Sequence, residues 1–435
     1  MSDLQFPSLK VKAFMIFWRV LWWIATPFIL IYLWRRGQGD ALYRKHLPER
    51  FGFHQRRTIP HIWVHAVSIG ELRSAVPLIK SLLEDGEHIV TTHFTPVGRR
   101  AAQKDFAEYI ATGQLSAVWV PFDYDAAFKR FFRAFKPKYG LVMEVEFWPS
   151  MIMSSQKSGI PLFLCNGQYP TRSFERDRGK WLSRANIVAG FAGVMVKSQR
   201  QADRFESLGV AQIEITGELR FEQPIPTQQL LAGEKAAIAL ADNRHVIGFA
   251  SVVVGEDSLF IDAMKRIQEN EEHLFVYVPR APERFDETVE LLQNAGLVCA
   301  RRSDVFDDEL VLKNSEKIDV LVGDSLGEMY FYLAICDRIH VGGGFTSKGS
   351  HNISEPLAVG KPVSVGTEVW TIEFPVIEAI DAGVCTQSTA DTLAKDLTTK
   401  PSASSEQIAA FMTANGGAVV RTRAAILRLL APTSH

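Results

Sequence analysis

The sequence predicts an α/β protein with two Rossmann-like domains facing a cleft, preceded by an N-terminal hydrophobic membrane-anchor helix. Three observations support this fold class. From residue 60 the chain alternates short apolar runs with amphipathic stretches, which is typical of a parallel sheet covered by helices on both faces. A polar stretch with two prolines, residues 222–228, interrupts this alternation before a second set begins. A long apolar run lies near the N-terminus.

Length and composition exclude several classes of protein. The chain has 435 residues, which is too long for one ordinary core and suggests two or three domains. Its 48 basic and 49 acidic residues give a net charge of −1, so no overall field draws it to nucleic acid. The four cysteines are far apart and form no Cys-x-x-Cys or His/Cys cluster, so no metal site is predicted and a reducing compartment fits.

The apolar run covers residues 13–34 and is interrupted only by Arg19, Thr26 and Pro27. As a helix it would measure about 33 Å, which is enough for a bilayer core of about 30 Å. Its tryptophans suit a membrane interface, and the basic residues that follow place the rest of the chain on the cytoplasmic side. We therefore predict a membrane anchor at residues 1–37. A buried core helix is the alternative, and the pattern leaves open whether the helix spans the membrane or lies in it.

The alternating pattern predicts the elements of both domains. In the first set, strands are predicted at 61–66, 88–94, 117–120, 139–145, 161–165 and 192–196, and helices at 71–84, 97–109, 125–134 and 198–208. In the second set, strands are predicted at 245–250, 274–279, 297–301, 318–322, 338–342 and 362–365, and helices at 255–269, 282–295, 327–335, 352–359 and 372–381. A terminal helical stretch at about 405–430 follows. The predicted domains are residues 38–224 and 225–435.

Residues 65–71 (HAVSIGE) are the most informative segment of the first half. A predicted strand ends here in a tight turn, and Glu71 falls on the first turn of the next helix. Ligands of open α/β sheets bind outside the carboxyl ends of the strands, which is where Glu71 is predicted to lie. Glu71 is therefore a candidate catalytic base. The spacing Ser68-x-x-Glu71 is also that of a capping box, in which the glutamate only closes the helix end. The segment by itself leaves both interpretations open.

Two acidic pairs follow other strands of the first half. Glu144 lies at the end of the strand predicted at 139–145 and Glu146 directly after it, and we predict that they point to opposite sides, one into the cleft and the other into the structure. Asp123 and Asp125 have the spacing of an Asp-x-Asp metal motif, but aspartate is favoured at helix starts, which makes capping the preferred interpretation.

The second half contains three strand-to-helix turns that are typical of nucleotide sites. A glycine run, residues 342–344, precedes a helix start and would present free backbone N–H groups to a phosphate. Glu355 is placed to take a pair of ribose hydroxyls, and Arg280 follows an apolar run in a position suited to phosphate. Residues 323–329 (GDSLGEM) form the third turn. Together these turns predict a nucleotide, whereas each alone would be explained by a tight turn or a helix cap.

Seven segments in order resemble one family, the 3-deoxy-D-manno-octulosonic acid (Kdo) transferases of lipopolysaccharide synthesis. They are residues 43–52 (YRKHLPERFG), 65–71 (HAVSIGE), 91–96 (TTHFTP), 143–149 (MEVEFWP), 278–285 (VPRAPERF), 323–328 (GDSLGE) and 349–356 (GSHNISEP). The resemblance covers most of the chain.

The resemblance implies an inverting GT-B glycosyltransferase at the inner membrane that needs no metal or other cofactor, with CMP-Kdo as donor and a lipid A precursor as acceptor. It implies that Glu71 is the general base and that Glu144 and Arg220 support the transition state. At a helix N-terminus, the dipole is expected to keep Glu71 ionised. The positions that match the CMP-binding residues of the family are Pro279, Arg280, Leu326, Gly327, Glu328, Asn352, Ile353, Ser354 and Glu355.

The sequence departs from the family pattern mainly in the second half. Ala281 stands where the family has histidine in Pro-Arg-His-Pro, and Arg220 replaces its usual lysine. Segments 166–169, 251–256 and 366–368 also differ. Two alternatives follow from these departures: a related transferase with another CMP-activated ulosonic acid or acceptor, and a catalytically weak membrane-bound paralogue.

Overall fold

Two parallel sheets, each covered by helices, form the protein in this computed structural model. The structure describes residues 6–177, 180, 184–313, 316–400 and 403–431. The chain divides into two compact units. The first domain contains the residues up to Gln223 together with those from Gly417 onward, and the second domain is Pro224–Gly416.

The first domain contains a seven-stranded sheet. Its strands are β1 (Ile62–His65), β2 (Ile89–His93), β3 (Leu115–Trp119), β4 (Tyr139–Met143), β5 (Leu162–Gly167), β6 (Gly193–Val196) and β7 (Ile213–Ile215). They lie in the order β3-β2-β1-β4-β5-β6-β7, and each neighbouring pair is parallel. The first six positions follow the Rossmann order. The strands are almost wholly buried because helices cover both faces.

Among the described residues, ten helices precede the interdomain segment. They are α1 (Leu9–Gly39), α2 (Leu47–Arg50), α3 (Ile69–Glu84), α4 (Pro96–Asp105), α5 (Ala107–Ala111), α6 (Asp125–Phe135), α7 (Pro149–Lys157), α8 (Thr171–Asp177), α9 (Arg184–Val188) and α10 (Gln199–Ser207). Short 3₁₀ turns lie at Ala41–Tyr43 and Leu219–Glu222.

The second domain repeats this architecture. Its strands are β8 (His245–Val252), β9 (His273–Pro279), β10 (Cys299–Arg301), β11 (Val320–Val322), β12 (Arg338–Val341), β13 (Val363–Val365) and β14 (Cys385–Gln387). They lie in the order β10-β11-β9-β8-β12-β13-β14, again with parallel neighbours.

The helices of the second domain run from α11 to α19. They are α11 (Thr227–Ala241), α12 (Asp257–Gln268), α13 (Phe285–Asn294), α14 (Arg302–Val305), α15 (Met329–Ile335), α16 (Ser354–Ala358), α17 (Glu373–Asp381), α18 (Leu393–Thr398) and α19 (Ser405–Asn415). A 3₁₀ turn lies at Pro282–Arg284, and the last helix of the chain is α20 (Ala418–Leu430).

Close packing at the centre of the first sheet depends on a glycine. A Cβ atom at Gly140 of β4 would lie 2.5 Å from Leu162 Cδ1 and 2.9 Å from Trp63 Cε3. Trp63 is fully buried, and its ring lies 5.1 Å from that of Phe131 on α6. The missing side chain therefore leaves room for the tryptophan that joins this sheet to its covering helix.

The predicted alternation of strands and helices is confirmed, with several additional elements. The sequence interpretation missed the edge strands β7 and β14, which have only three residues each. It also missed several helices, which are α2, α7, α8, α9, α11, α14 and α18. α11 was missed because its start lies inside the segment interpreted as a linker.

The C-terminal stretch differs from its predicted form and domain. The single predicted helix at 405–430 is two helices, because Gly417 adopts a positive φ of 77° between them. Although residues 225–435 were assigned to the second domain, α20 lies with the first. Arg423 donates to Ser81 of α3 at 2.8 Å, and Val419 N donates to Glu222 Oε1 at 2.9 Å.

Candidate active site

The predicted catalytic residues of the first half lie at the switch point of the first sheet. β1 and β4 are neighbours, but β1 leads on to β2 at one side and β4 leads on to β5 at the other. Loops that follow such a pair diverge and leave a crevice at the carboxyl edge, where α/β proteins bind ligands. Glu71 follows β1 and Glu144 follows β4.

The carboxylate of Glu71 turns back toward the loop that precedes α3. Ser68 is the N-cap residue, and its Oγ accepts a hydrogen bond from Glu71 N at 3.3 Å. Glu71 Oε2 accepts from Val67 N at 2.7 Å, and Oε1 accepts from Ser68 Oγ at 3.1 Å. The capping interpretation is therefore correct, although Val67 rather than Ser68 supplies the backbone donor. One carboxylate oxygen faces only a rotatable hydroxyl, so capping does not prevent proton transfer.

The protonation of Glu71 differs from the expectation. Glu71 is only 9% exposed. Burial, followed by the negative charges of Glu146 and Glu144, raises the pKa of Glu71 to about 8, although bonds from Val67 and Ser68 act in the opposite direction. A helix dipole contributes about 0.3–1 kcal/mol, which is less than one pKa unit. The prediction that the dipole keeps this group ionised at neutral pH is therefore wrong. A pKa near the working pH suits a general base.

Glu144 starts a turn directly after β4. Its backbone has a φ of 58°, a conformation that is rare for residues with a side chain and that clusters at functional sites. Its Oε1 accepts from Arg220 Nη2 at 2.8 Å and from Ser74 Oγ at 3.1 Å. The expectation that Glu144 and Glu146 point to opposite sides had a wrong basis, because residues two apart in an extended chain share a face. The chain turns at Glu144, and the negative charges of both residues contribute to the raised pKa of Glu71.

Arg220 joins α3 to the loop of Glu144. It lies in the 3₁₀ turn Leu219–Glu222, where its Nε donates to Ser74 Oγ at 2.5 Å. Its Nη2 donates to Gly70 O at 3.4 Å, one residue before Glu71. The structure thus brings together the three residues that sequence reasoning named as catalytic.

Three buried residues behind this site were missed. Lys197 follows β6 and lies 2.9 Å from Glu218 Oε2 and 3.8 Å from Glu144 Oε1. Asn166 Nδ2 donates to Glu218 Oε1 at 2.9 Å. Burial acts to raise the pKa of Glu218, but the charges of Lys197 and Arg220 outweigh it and lower that pKa. A lysine directly after an apolar strand was the available signal for this network.

The histidines beside the site are structural. His65 and His93 are fully buried, and burial lowers the pKa of each to about 3, so both are neutral. His93 contacts Ala66 O at 3.0 Å and Thr91 Oγ1 at 2.9 Å, while His65 contacts Thr92 Oγ1 at 2.9 Å. Among these neighbours, Glu71 is the group whose pKa fits proton transfer near neutral pH.

The glycine run of the second domain is not free to bind phosphate in the predicted way. Glu256 follows β8 and is fully buried, and its Oε1 accepts from Gly343 N at 2.8 Å and Phe345 N at 3.1 Å. Its Oε2 accepts from Val253 N at 3.3 Å. β8 and β12 are neighbours at the switch point of the second sheet, so this carboxylate closes the turn between them. The prediction that these N–H groups are free is wrong for Gly342, whose N–H donates to Ala250 O, and for Gly343, whose N–H donates to a side chain 87 residues away.

Glu256→Gln is expected to lower the free energy of unfolding by about 1–3 kcal/mol. The amide keeps one acceptor oxygen but turns an NH₂ donor toward N–H groups that already donate. Hydrogen exchange at the amides of Gly343 and Phe345 should become faster than in the unmodified chain. Unchanged exchange at both amides would show that the carboxylate does not hold the loop.

The predicted CMP-binding residues follow three strands of the second sheet. Pro279 ends β9 and Arg280 is exposed beside it. Leu326 is 73% exposed, and Gly327 has a φ of 83°. Glu328 is less available, because its Oε1 accepts from Arg302 Nη2 at 2.8 Å.

The remaining predicted positions lie around the start of α16. Asn352 Oδ1 accepts from Ser354 N at 2.9 Å, Ser354 and Ile353 are buried, and Glu355 is partly exposed. Burial, followed by the positive charge of Arg280, lowers the pKa of His351 to about 4. The role of these residues in nucleotide binding stays a prediction.

The Asp-x-Asp segment caps a helix other than its own. Asp123 Oδ1 accepts from Met151 N at 2.9 Å and its Oδ2 accepts from Ser150 N at 3.1 Å, both at the start of α7. Asp125 pairs with Arg19 at 2.5 Å. In the part of the chain that the structure describes, no group of three or more His, Cys, Asp or Glu side chains is placed to hold a metal ion.

Comparison with known proteins identifies the family. Residues 45–223 match the family model described as 3-Deoxy-D-manno-octulosonic-acid transferase (kdotransferase). The chain is 36% identical over 415 residues to the 3-deoxy-D-manno-octulosonic acid transferase of Bordetella pertussis, a match that covers 91% of this chain and 95% of the relative. This chain belongs to the Kdo transferase family. The Haemophilus influenzae transferase is 28% identical over 388 residues, covering 87% of this chain and 88% of that one.

Solved structures agree with the fold of this Kdo transferase. A glycosyltransferase from Rickettsia africae superimposes with a TM-score of 0.55 at 12% identity, covering 86% of this chain and 98% of that one. The UDP-GlcNAc 2-epimerase of Neisseria meningitidis gives 0.54 at 13% identity, covering 85% and 100%. These neighbours show the two-domain GT-B fold, while membership in the Kdo transferase family makes the enzyme a glycosyltransferase. Within the described residues, one helix of this Kdo transferase, α1, is long and apolar enough to cross a membrane.

Substitutions at Arg220 separate charge from geometry. Arg220→Met should lower kcat of the Kdo transferase by about 10²-fold, since a directed donor at a reacting site is worth about that much. Arg220→Lys should lose less, about tenfold, because it keeps the charge but cannot contact Ser74 and Glu144 through two separate nitrogens. Steady-state rates of both variants check this order, and an equal loss in both would show that geometry alone matters.

Proposed function

We propose that the protein transfers Kdo from CMP-Kdo to a lipid A precursor with inversion at the anomeric carbon, and that Glu71 is the general base. The observation that carries the proposal is the buried carboxyl at the switch point of the first sheet, whose pKa is raised to about 8. Membership in the Kdo transferase family supports the transferred sugar. The reaction would occur at the cytoplasmic face of the inner membrane.

The proposed step balances as a single displacement. Ionised Glu71 takes the proton of an acceptor hydroxyl, and the acceptor oxygen forms a bond to the anomeric carbon of Kdo. The bond from that carbon to the CMP phosphate oxygen breaks, and its electron pair leaves with CMP. Attack from the face opposite CMP inverts the configuration.

Glu144 and Arg220 fit supporting roles in this step. The anomeric carbon develops oxocarbenium character during such displacements, and a carboxylate nearby stabilises positive charge. The ion pair of Glu144 with Arg220, at 2.8 Å, fixes that carboxylate next to the loop of Glu71. We propose them as electrostatic partners of the base.

The second domain is the proposed binding site of the donor. Arg280 is exposed at the end of β9, where a guanidinium suits the single phosphate of a CMP-sugar. Gly327 and the turn before α16 offer backbone near the same sheet edge. We propose that these groups hold CMP without a metal ion.

Mass spectrometry of the lipid tests the proposal directly. The full-length protein would be incubated in detergent with CMP-Kdo and a tetra-acylated lipid A precursor, in parallel with another CMP-activated ulosonic acid. Addition of Kdo supports the proposal, and addition of the other sugar alone would favour a related transferase, as Ala281 beside Arg280 suggests. CMP binding without any transfer would contradict the proposed activity.

A further inference from the structure

The helix α1 carries two opposite stripes of side chains. Residues 11, 15, 18, 22 and 26 recur at three- and four-residue spacing, and so do residues 17, 20, 24, 28, 31 and 34. With 3.6 residues per turn, the first stripe lies on one face of the helix and the second on the opposite face. We name them the docked stripe and the exposed stripe.

The docked stripe is packed against the first domain. Val11 and Met15 are 0% and 2% exposed and belong to the core beneath α6 and α7. Trp18 Nε1 donates to Asp123 Oδ2 at 2.6 Å. Trp22 lies 5.6 Å from the ring of Tyr124, so aromatic packing continues the docked face.

Polar side chains of α1 also form ion pairs or hydrogen bonds with the first domain. Arg19 Nη2 lies 2.5 Å from Asp125 Oδ2, next to the docked stripe. The hydroxyl of Thr26 contacts the hydroxyl of Tyr124. These contacts satisfy the groups that would be costly in hydrocarbon.

The exposed stripe is apolar and faces away from the domain, apart from the guanidinium of Arg44, which lies 4.8 Å from the Trp34 ring at its end. Its members are Phe17, Val20, Ile24, Phe28, Ile31 and Trp34, which are 61%, 53%, 62%, 67%, 51% and 59% exposed. A continuous apolar stripe of this length on a surface marks a binding site for another apolar surface. The basic residues Arg35 and Arg36 follow at its end, where they suit anionic lipid head groups.

Both ends of α1 contact the same domain. Before the helix, Phe6 O accepts from Gln156 Nε2 of α7 at 3.3 Å. After it, Asp40 forms a bidentate ion pair with Arg100 of α4, at 2.8 and 3.0 Å.

The helix has 31 residues and measures about 46 Å, while the hydrocarbon core of a bilayer is about 30 Å thick. A spanning helix would separate its two ends across that core and would draw Asp123 and Asp125 into hydrocarbon.

We propose that α1 lies in the plane of the membrane and inserts its exposed stripe into the cytoplasmic leaflet of a phospholipid bilayer without crossing it. The inference rests on the membrane association that is part of the proposed function. It places both ends of the helix in the cytoplasm and the first domain on the membrane surface. Once docked, a helix that is apolar all round acts as an amphipathic one, because the domain covers one face.

Cysteine labelling tests the topology. Ser2→Cys places a thiol ahead of α1, and Lys104→Cys places the matched control on an exposed position of α4. In intact spheroplasts, an impermeant maleimide should label neither thiol, and both should be labelled after lysis. Labelling of the Ser2→Cys chain in intact spheroplasts, with the control still protected, would overturn the proposal. The unmodified chain gives the background from its four native cysteines.

Charged substitutions test the stripe. Ile24→Asp combined with Phe28→Asp should reduce the membrane-bound fraction about tenfold or more, because charges in hydrocarbon are costly. Ile238→Asp is the matched control, as Ile238 is 83% exposed on α11 of the second domain, and it should leave that fraction unchanged. Retention of the double variant on membranes would contradict insertion of the stripe. If the unmodified chain is soluble but still transfers Kdo, membrane association fails while the proposed reaction stands.

Discussion

Glu71→Gln is expected to lower kcat for Kdo transfer by about 10²–10⁴-fold, the usual contribution of a general base. Glutamine has the same size, and its oxygen still accepts from Val67 N, so the turn before α3 should persist. The amide cannot take a proton from the acceptor hydroxyl. Single-turnover rates with saturating donor measure the loss without interference from product release.

Stability gives a second readout for the same variant. Folding raises the pKa of Glu71, so its ionisation opposes folding, and the unmodified chain should lose stability as pH rises toward 8. The neutral amide does not have this dependence, so Glu71→Gln should be as stable as the parent near pH 4, below the unfolded-state pKa of 4.5, and increasingly more stable than the parent as pH rises to 9. A folded Glu71→Gln variant that transfers Kdo at a near-normal rate would exclude Glu71 as the base.

Glu146→Gln is the matched control for Glu71→Gln. Glu146 accepts from Trp148 Nε1 at 2.5 Å, and after burial its negative charge has the largest effect in raising the pKa of Glu71. Its removal should lower that pKa and move the pH dependence of transfer to lower pH, with the plateau rate retained. If Glu146→Gln lowers the plateau rate of transfer as much as Glu71→Gln does, Glu71 is not distinguished from Glu146 as the base, and the assignment to Glu71 is contradicted.

Lys197→Met is expected to lower the free energy of unfolding by about 3–5 kcal/mol, since it removes one partner of a buried ion pair. The side chains of Lys197 and Glu218 are both 3% exposed, and their charges lie 2.9 Å apart. The variant leaves Glu218 with Asn166 and a backbone N–H as its remaining donors. Urea unfolding at pH 7 measures the loss.

The loss in the free energy of unfolding of Lys197→Met should depend on pH in one direction. The pKa of Glu218 is lowered in the folded state, so its pairing stabilises the protein above the ordinary carboxyl pKa and is lost as pH falls through the folded value. The difference between parent and variant should therefore shrink on acidification. Lys104→Met on exposed α4 is the control and should stay within about 0.5 kcal/mol. An equally small effect at position 197 would contradict the buried pair.

Local patterns were enough to predict the sheet edge that holds the site. The strand, turn and helix around Glu71 follow from an apolar run, a capping serine and a periodic helix within twenty residues. The carboxyl ends of parallel strands meet at one edge, which brings Glu144 to Glu71. The family resemblance implied a supporting role for both Arg220 and Glu144, but their contact was not predicted from the sequence.

Interactions between distant segments were not predictable in this way. Glu256 accepts from the glycine loop across 87 residues, and Lys197 pairs with Glu218 across the end of the sheet. The raised pKa of Glu71 depends on burial and on two other carboxylates, which exceed the helix dipole that the sequence suggests. The sequence could not predict which face of α1 packs against the first domain, because the helix is apolar on all sides.

The pH dependence of kcat/KM for Kdo transfer tests the central claim most directly, because it reports the pKa of the essential base in the free enzyme. With Glu71 as that base, kcat/KM should rise with pH and level off above its pKa of about 8. The Glu71→Gln chain should show a low rate without this rise. An inflection near pH 4.5, or the same inflection near pH 8 in both proteins, would contradict a buried Glu71 acting as the base.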